Sequence, residues 1–319
     1  MKSRVAALLR VAVTASLVAV IVVRVDWSGV SSALTSSTPS LLALGVAVQA
    51  LGVLVSAYKW GILLRVQGTP LPFADLIRYY FIGFFANNFL PTIIGGDVAR
   101  GYQVARRTGD RWGAGASVLI ERLTGGVGLL VVGVWGWTAG AMRGESHSAW
   151  LPAAAGLAAG LLLPLGSMWA CGLALSSPPA PWRERFRWVE RLRLAYGGRS
   201  DLVLISVGLS VVFHVLMALG NWALTLAVGA SARITDLAWV IPSAGLISMI
   251  PISLNGYGLR EASLIFLLGH VGIPQPAAAA TALLGRGILL LFSALGGLIL
   301  LGGFGVVAPR RGIVSGETP

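Results

Sequence analysis

Apolar residues in this chain come in runs long enough to cross a hydrocarbon core about 30 Å thick as helices. Six such runs fall near Leu8–Val25, Leu41–Tyr58, Ser117–Ala139, Trp150–Leu175, Leu202–Ala230 and Ala277–Val307. Two more apolar stretches, Leu76–Ile94 and Leu237–Leu268, are interrupted by Pro, Gly and Asn. The pattern predicts an all-α, polytopic membrane helix bundle forming a single transmembrane domain over 1–319. The first run follows a charged start but has no clean small-residue cleavage site, so it reads as a retained helix.

Composition agrees with that pattern. The chain is 56% hydrophobic and only 11% charged, against about a quarter charged in a soluble domain. A lone Cys171 gives neither a disulfide framework nor a Cys/His metal pattern, so no metal or other cofactor is expected.

The net charge of +12 raises the question of nucleic acid, but the placement of the basic residues answers against it. They cluster in alternate loops, as the positive-inside rule requires: Lys2, Arg4 and Arg10 before the first run; Lys59, Arg65 and Arg78 after the second; Arg100, Arg106, Arg107 and Arg111 before the third. Six more, from Arg183 to Arg199, follow the fourth, and Arg310 and Arg311 close the chain. With those loops inside, Arg24, Arg143 and Arg233 face out. The expected location is the cytoplasmic membrane, multi-pass, with both termini cytoplasmic. The loop 176–200 reads as a basic amphipathic helix on the cytoplasmic surface, or as an ordinary positive-inside loop. All basic residues except Lys2 and Lys59 are Arg, which suits bidentate phosphate binding and also follows from GC-rich coding.

Charge placement makes the two interrupted stretches informative. Leu76–Ile94 has basic residues on both flanks, so it should enter from the cytoplasm and return; Leu237–Leu268 should do the same from the opposite face, each as a re-entrant hairpin or a pair of short helices. Aligning Pro91 with Pro251 puts Gly96 on Gly256 and Arg100 on Arg260. With 15 Pro and 42 Gly in 319 residues, chance supplies roughly 0.1 such spacings, and two occur. Each interrupted stretch is followed by a long run with an Arg in its early turns, Arg122 or Arg286. Two inverted repeats are therefore expected, about 73–140 and 235–307, with broken helices framing a substrate site.

Backbone freed by Pro and Gly must face protein or a wet cavity, and charges at membrane depth are usually paired or functional. The candidate substrate-binding residues are Asn88, Asp97, Arg100, Glu121, Arg122, Asn255, Arg260, Glu261 and Arg286. Four cations against three anions suit a phosphate, with Asn88 and Asn255 capping freed backbone. The structural alternative is that Asp97–Arg100 and Glu121–Arg122 are ion pairs that only fix helices. His214, seven residues from Asn221, reads as a proton relay or as a helix-to-helix hydrogen bond. Gly125, Gly126 and Gly128 read as packing positions.

Three motifs in order carry a family resemblance. Asn-Phe-Leu-Pro with Gly-Gly-Asp-x-x-Arg-Gly-Tyr (88–91 and 95–102), Ser-x-x-x-Glu-Arg (117–122) and Pro-x-Ser-x-Asn-Gly-x-Gly-x-Arg-Glu (251–261) resemble the lysylphosphatidylglycerol synthase transmembrane region, a flippase-like family. The resemblance runs from about residue 41 to 304. It implies a membrane protein that moves lipids between leaflets. In larger relatives a soluble domain loads the amino acid, and the end at Pro319 leads us to expect no such synthesis here.

The sequence therefore predicts a non-enzymatic lipid translocase with no catalytic residue, whose partners are membrane lipids bearing an anionic or phosphate headgroup. A lipid-modifying enzyme is a possible further partner. The chain carries no Walker motif, so movement would be downhill, ion-coupled or partner-driven. The alternatives are a membrane-embedded transferase on a lipid carrier, which would need a base among Asp26, Glu145, His147 and Asp236, and a small-solute transporter or scaffold for a lipid-modifying enzyme.

Overall fold

The computed structural model describes residues 2–89, 95–143, 196, 199–250 and 252–302. Among them there is no strand, and ten α-helices carry the fold. The run Trp150–Leu175, nearly all of the loop 176–200, both motif prolines Pro91 and Pro251, and the basic C-terminus lie outside the described residues.

In chain order the helices are α1 (Lys2–Arg24), α2 (Trp27–Thr35), α3 (Pro39–Val66), α4 (Phe73–Phe89), α5 (Gly95–Thr108), α6 (Arg111–Ala141), α7 (Ser200–Ala227), α8 (Ile234–Ser248), α9 (Leu259–His270) and α10 (Gln275–Leu301). Four of them, α3, α6, α7 and α10, are long and apolar enough to cross a membrane. Local sequence sets several of the boundaries. Asp26 caps α2 by accepting from the Ser28 and Gly29 amides, each at 3.1 Å. Asp110 caps α6 through the Gly113 amide at 2.9 Å, satisfying donors that a helix start leaves open. Gly109, at φ +74°, makes the reversal between α5 and α6 that a side chain would strain.

Each interrupted stretch corresponds to a pair of helices; the first pair, α4 and α5, runs past the expected end at Ile94 through the segment assigned to a basic loop. In the first, α4 and α5 pack together, and their outer ends are tied by an ion pair between Arg107 and Asp75 at 2.8 Å. In the second, α8 and α9 pack together around a 3₁₀ turn, Leu254–Gly256. Three residues in and just after that turn have positive φ: Asn255 at 47°, Gly256 at 72° and Gly258 at 75°. Asn and Gly are the residues that tolerate this region, so the break is written into the sequence.

The helices exchange partners between the halves. α3 packs along α7, both 28 residues long. α4 packs on α10 and α8 on α6, while α5 rests on α6 and α9 on α10. Each long helix is thus clamped by its own short helix and by the leading helix of the other half. Small residues allow the closest crossings. A Cβ on Gly128 would lie 2.5 Å from the Ser210 side chain and 2.6 Å from its backbone, and one on Gly136 would lie 2.7 Å from the Thr235 carbonyl. Gly128 therefore serves packing, as its place in a small-residue run leads one to expect.

Lys59, assigned to the loop after the second run, lies inside α3, because that helix continues to Val66. Its side chain is buried among α3, α6 and α7, with 3% exposure.

Candidate functional site

The charged residues picked out by sequence gather in two cores, one per half. In the first, Asp97 sits in the opening turn of α5, where a carboxylate also complements the helix dipole. Its Oδ1 accepts from Arg100 Nη2 at 2.6 Å, and its Oδ2 accepts from Arg122 Nε at 2.6 Å and lies 2.6 Å from Arg122 Nη2. Arg100 Nη2 also stands 3.0 Å from Glu121 Oε2, and the Tyr80 hydroxyl donates to Glu121 Oε1. Asp97, Arg100 and Glu121 are all buried; Arg122 keeps 44% of its side chain exposed.

Aromatic residues complete this first core. The Arg100 guanidinium carbon lies 4.2 Å from the Tyr80 ring centre and 5.0 Å from that of Trp60, within cation–π range. Trp60 Nε1 donates to Ser117 Oγ at 3.0 Å. Arg100 Nη1 is buried and has no hydrogen-bond acceptor among the described residues, so part of its donor capacity is unspent there.

In the second core Arg286 Nε donates to Glu261 Oε1 at 2.7 Å, and Arg286 Nη2 also contacts that oxygen. The other Glu261 oxygen accepts from the Gly258 amide at 2.9 Å, closing the start of α9 as an N3 glutamate does. The Tyr257 ring centre lies 4.3 Å from the Arg286 guanidinium carbon. The Arg260 side chain is partly buried and makes no hydrogen bond or ion pair with a described residue.

Asparagines stitch the two cores together. Asn255 Nδ2 donates to the Asn87 carbonyl at 2.7 Å. Tyr257 OH donates to Asn88 Oδ1 at 2.7 Å, and Asn87 Oδ1 accepts from the Gly96 amide at 2.6 Å. Asn255 thus caps backbone freed at the end of α4, as its position in a break leads one to expect. Asn88 does not: its amide holds a tyrosine hydroxyl, and its neighbour Asn87 is the residue that caps α5. Sequence reasoning passed over Asn87, Tyr80, Trp60 and Tyr257. Only Tyr257 lay within a motif; the others come from apolar helices and acquire partners through packing alone.

The correspondence between halves also differs from the one the proline alignment suggests. Asp97 and Arg122 are 25 residues apart, as are Glu261 and Arg286. Each acid is the third residue of its short helix, and each Arg is the twelfth of its long helix. Arg100, sixth in α5, and Arg260, second in α9, are not at equivalent helical positions. The arginines shown in matching places are 122 and 286.

Comparison with known proteins agrees with these motifs. A UPF0104 membrane protein from Methanothermobacter thermautotrophicus is 25% identical over 288 residues, covering 80% of each chain. The family model for the lysylphosphatidylglycerol synthase TM region matches residues 7–297, nearly the whole chain with both cores and the asparagine bridge. The chain therefore belongs to the lysylphosphatidylglycerol synthase transmembrane-region family.

Proposed function

We propose that the chain is a lipid translocase that passes a phosphate-bearing headgroup between the two cores while the acyl tails stay in the bilayer. The observation that carries this reading is the matched pair of ion-paired cores, Asp97–Arg122 and Glu261–Arg286, at the inner ends of two broken helix pairs and joined through Asn87, Asn88, Asn255 and Tyr257.

Three features support it. Two short helices begin at the breaks, and helix N-termini favour anions. Among the described residues, donor capacity is left over at Arg100 Nη1 and on Arg260, while the carboxylates of Asp97 and Glu121 on Arg100 keep anion binding from becoming irreversible. The ends of the helices also favour two inverted repeats in one cytoplasmic-membrane domain. Asp75 and Arg107 tie the open end of α4–α5 beside the start of α6. Arg143, beyond the far end of α6, pairs with Asp236 at the start of α8 at 3.1 Å. The second broken pair accordingly opens toward the other face.

The test is exchange of a fluorescent phosphatidylglycerol between leaflets of proteoliposomes, read by surface quenching. Wild-type protein should accelerate exchange, and the Arg100→Ala/Arg260→Ala double variant should return it to the rate of empty vesicles. Equal rates in wild type and variant would sink the translocase reading.

A further inference from the structure

Lys59 is a buried cation for which the lipid reading has no use. Its ammonium donates to Ser210 Oγ at 2.9 Å and to the Glu121 backbone carbonyl at 3.2 Å, both neutral acceptors. No carboxylate oxygen among the described residues lies within ion-pair distance of it. A buried ammonium with only neutral partners is costly, and lysine, unlike arginine, relieves that cost by giving up its proton.

Its surroundings make the balance responsive to an anion. α6 presents Glu121 and Arg122, α4 presents Tyr80, α5 presents Asp97 and Arg100, and α7 presents Ser210 and His214. Asp97 and Glu121 offset Arg100 and Arg122, so the first core is neutral when Lys59 is neutral and carries one positive charge when it is protonated. A headgroup phosphate beside Arg100 would restore balance only in the protonated state.

Polar side chains flank Lys59 along the same helices. His214 contacts the Gly125 carbonyl at 3.1 Å, one turn along α6 from the carbonyl that holds Lys59. Ser210, the hydroxyl partner of Lys59, is one turn from His214 on α7. The Ser210 hydroxyl donates to the Ser206 carbonyl at 2.7 Å and accepts from Lys59, and an amine held this way inside a membrane segment is a group of the kind that carries protons in transporters.

We propose that Lys59 is the proton-carrying group of this protein, taking a proton when an anionic headgroup enters the first core and releasing it when the headgroup leaves. Lipid movement is then coupled to proton movement. This rests on the lipid reading above and adds its energy source.

The test is calorimetry of dihexanoyl phosphatidylglycerol binding to the purified full chain in detergent, in two buffers of different ionisation enthalpy, which counts protons taken up per lipid bound. Near neutral pH or above, wild type should take up a substantial fraction of one proton, approaching about one where Lys59 starts neutral. Lys59→Met and Lys59→Arg should both bind with uptake near zero, one being never charged and the other always charged. Lys59→Arg keeps a buried cation, so it serves if the methionine variant fails to fold. Lipid binding without proton uptake in wild type at any pH from 6 to 9, or with undiminished uptake in Lys59→Arg, overturns the proton proposal and leaves the lipid reading standing. Absence of binding together with flat exchange in proteoliposomes overturns both.

Discussion

Asp97→Asn is the substitution whose cost the structure defines best, because the side chain joins one buried and one half-exposed arginine. The change keeps the shape and removes the charge. Arg100 and Asp97 are each 7% exposed in their side chains, and removing one partner of a pair buried this deeply costs about 3–5 kcal/mol. Arg100 retains Glu121 at 3.0 Å, which places its loss at the low end of that range. Arg122 is 44% exposed, so solvent screening holds its share to about 1 kcal/mol or less. The sum expected for Asp97→Asn is about 3–4 kcal/mol. Unfolding by sodium dodecyl sulfate in mixed micelles, followed by circular dichroism, measures it. Double-mutant cycles then separate the parts: Asp97 with Arg100 should couple by about 2 kcal/mol or more, and Asp97 with Arg122 by less than about 1 kcal/mol. A larger coupling to Arg122 than to Arg100 would refute the reasoning from burial.

Other expectations follow from single contacts. Gly128→Ala and Gly136→Ala place a methyl against backbone at 2.6 and 2.7 Å and should each destabilise by about 1–3 kcal/mol in the same assay, whereas Gly208→Ala and Gly287→Ala meet nothing within 4 Å and should be neutral or stabilising by up to about 1 kcal/mol. Asn255→Ala loses the hydrogen bond to Asn87 and strains a residue at φ 47°; it should cost about 2–3 kcal/mol, with Asn255→Gly recovering the strain of about 1–2 kcal/mol but not the bond. Tyr257→Phe keeps the ring beside Arg286 and should lose only about 0.5–1.5 kcal/mol for the hydroxyl bond to Asn88, while Tyr257→Leu should slow lipid exchange further by freeing Arg286. Equal exchange rates for the two Tyr257 variants would discount the ring contact.

Hydrophobic run length and the placement of arginines sufficed to determine a helical membrane bundle with two broken segments, because both follow from the bilayer acting as solvent. The same physics singled out Asp97, Arg100, Glu121, Arg122, Glu261 and Arg286, since a charge inside an apolar run costs enough to demand a reason. Which charge meets which was decided only by packing. Arg100 and Arg260 share a spacing from proline in the sequence, but α5 and α9 place them at different turns, and the matching ion pairs belong to Arg122 and Arg286. Lys59 reads as a loop cation beside Trp60 because a lysine near the end of an apolar run usually marks the membrane boundary. Burial of that turn of α3 against α6 and α7 makes it an interior amine. Chain-local patterns record how deep a residue lies, and only the tertiary contacts of one helix with another assign its partner.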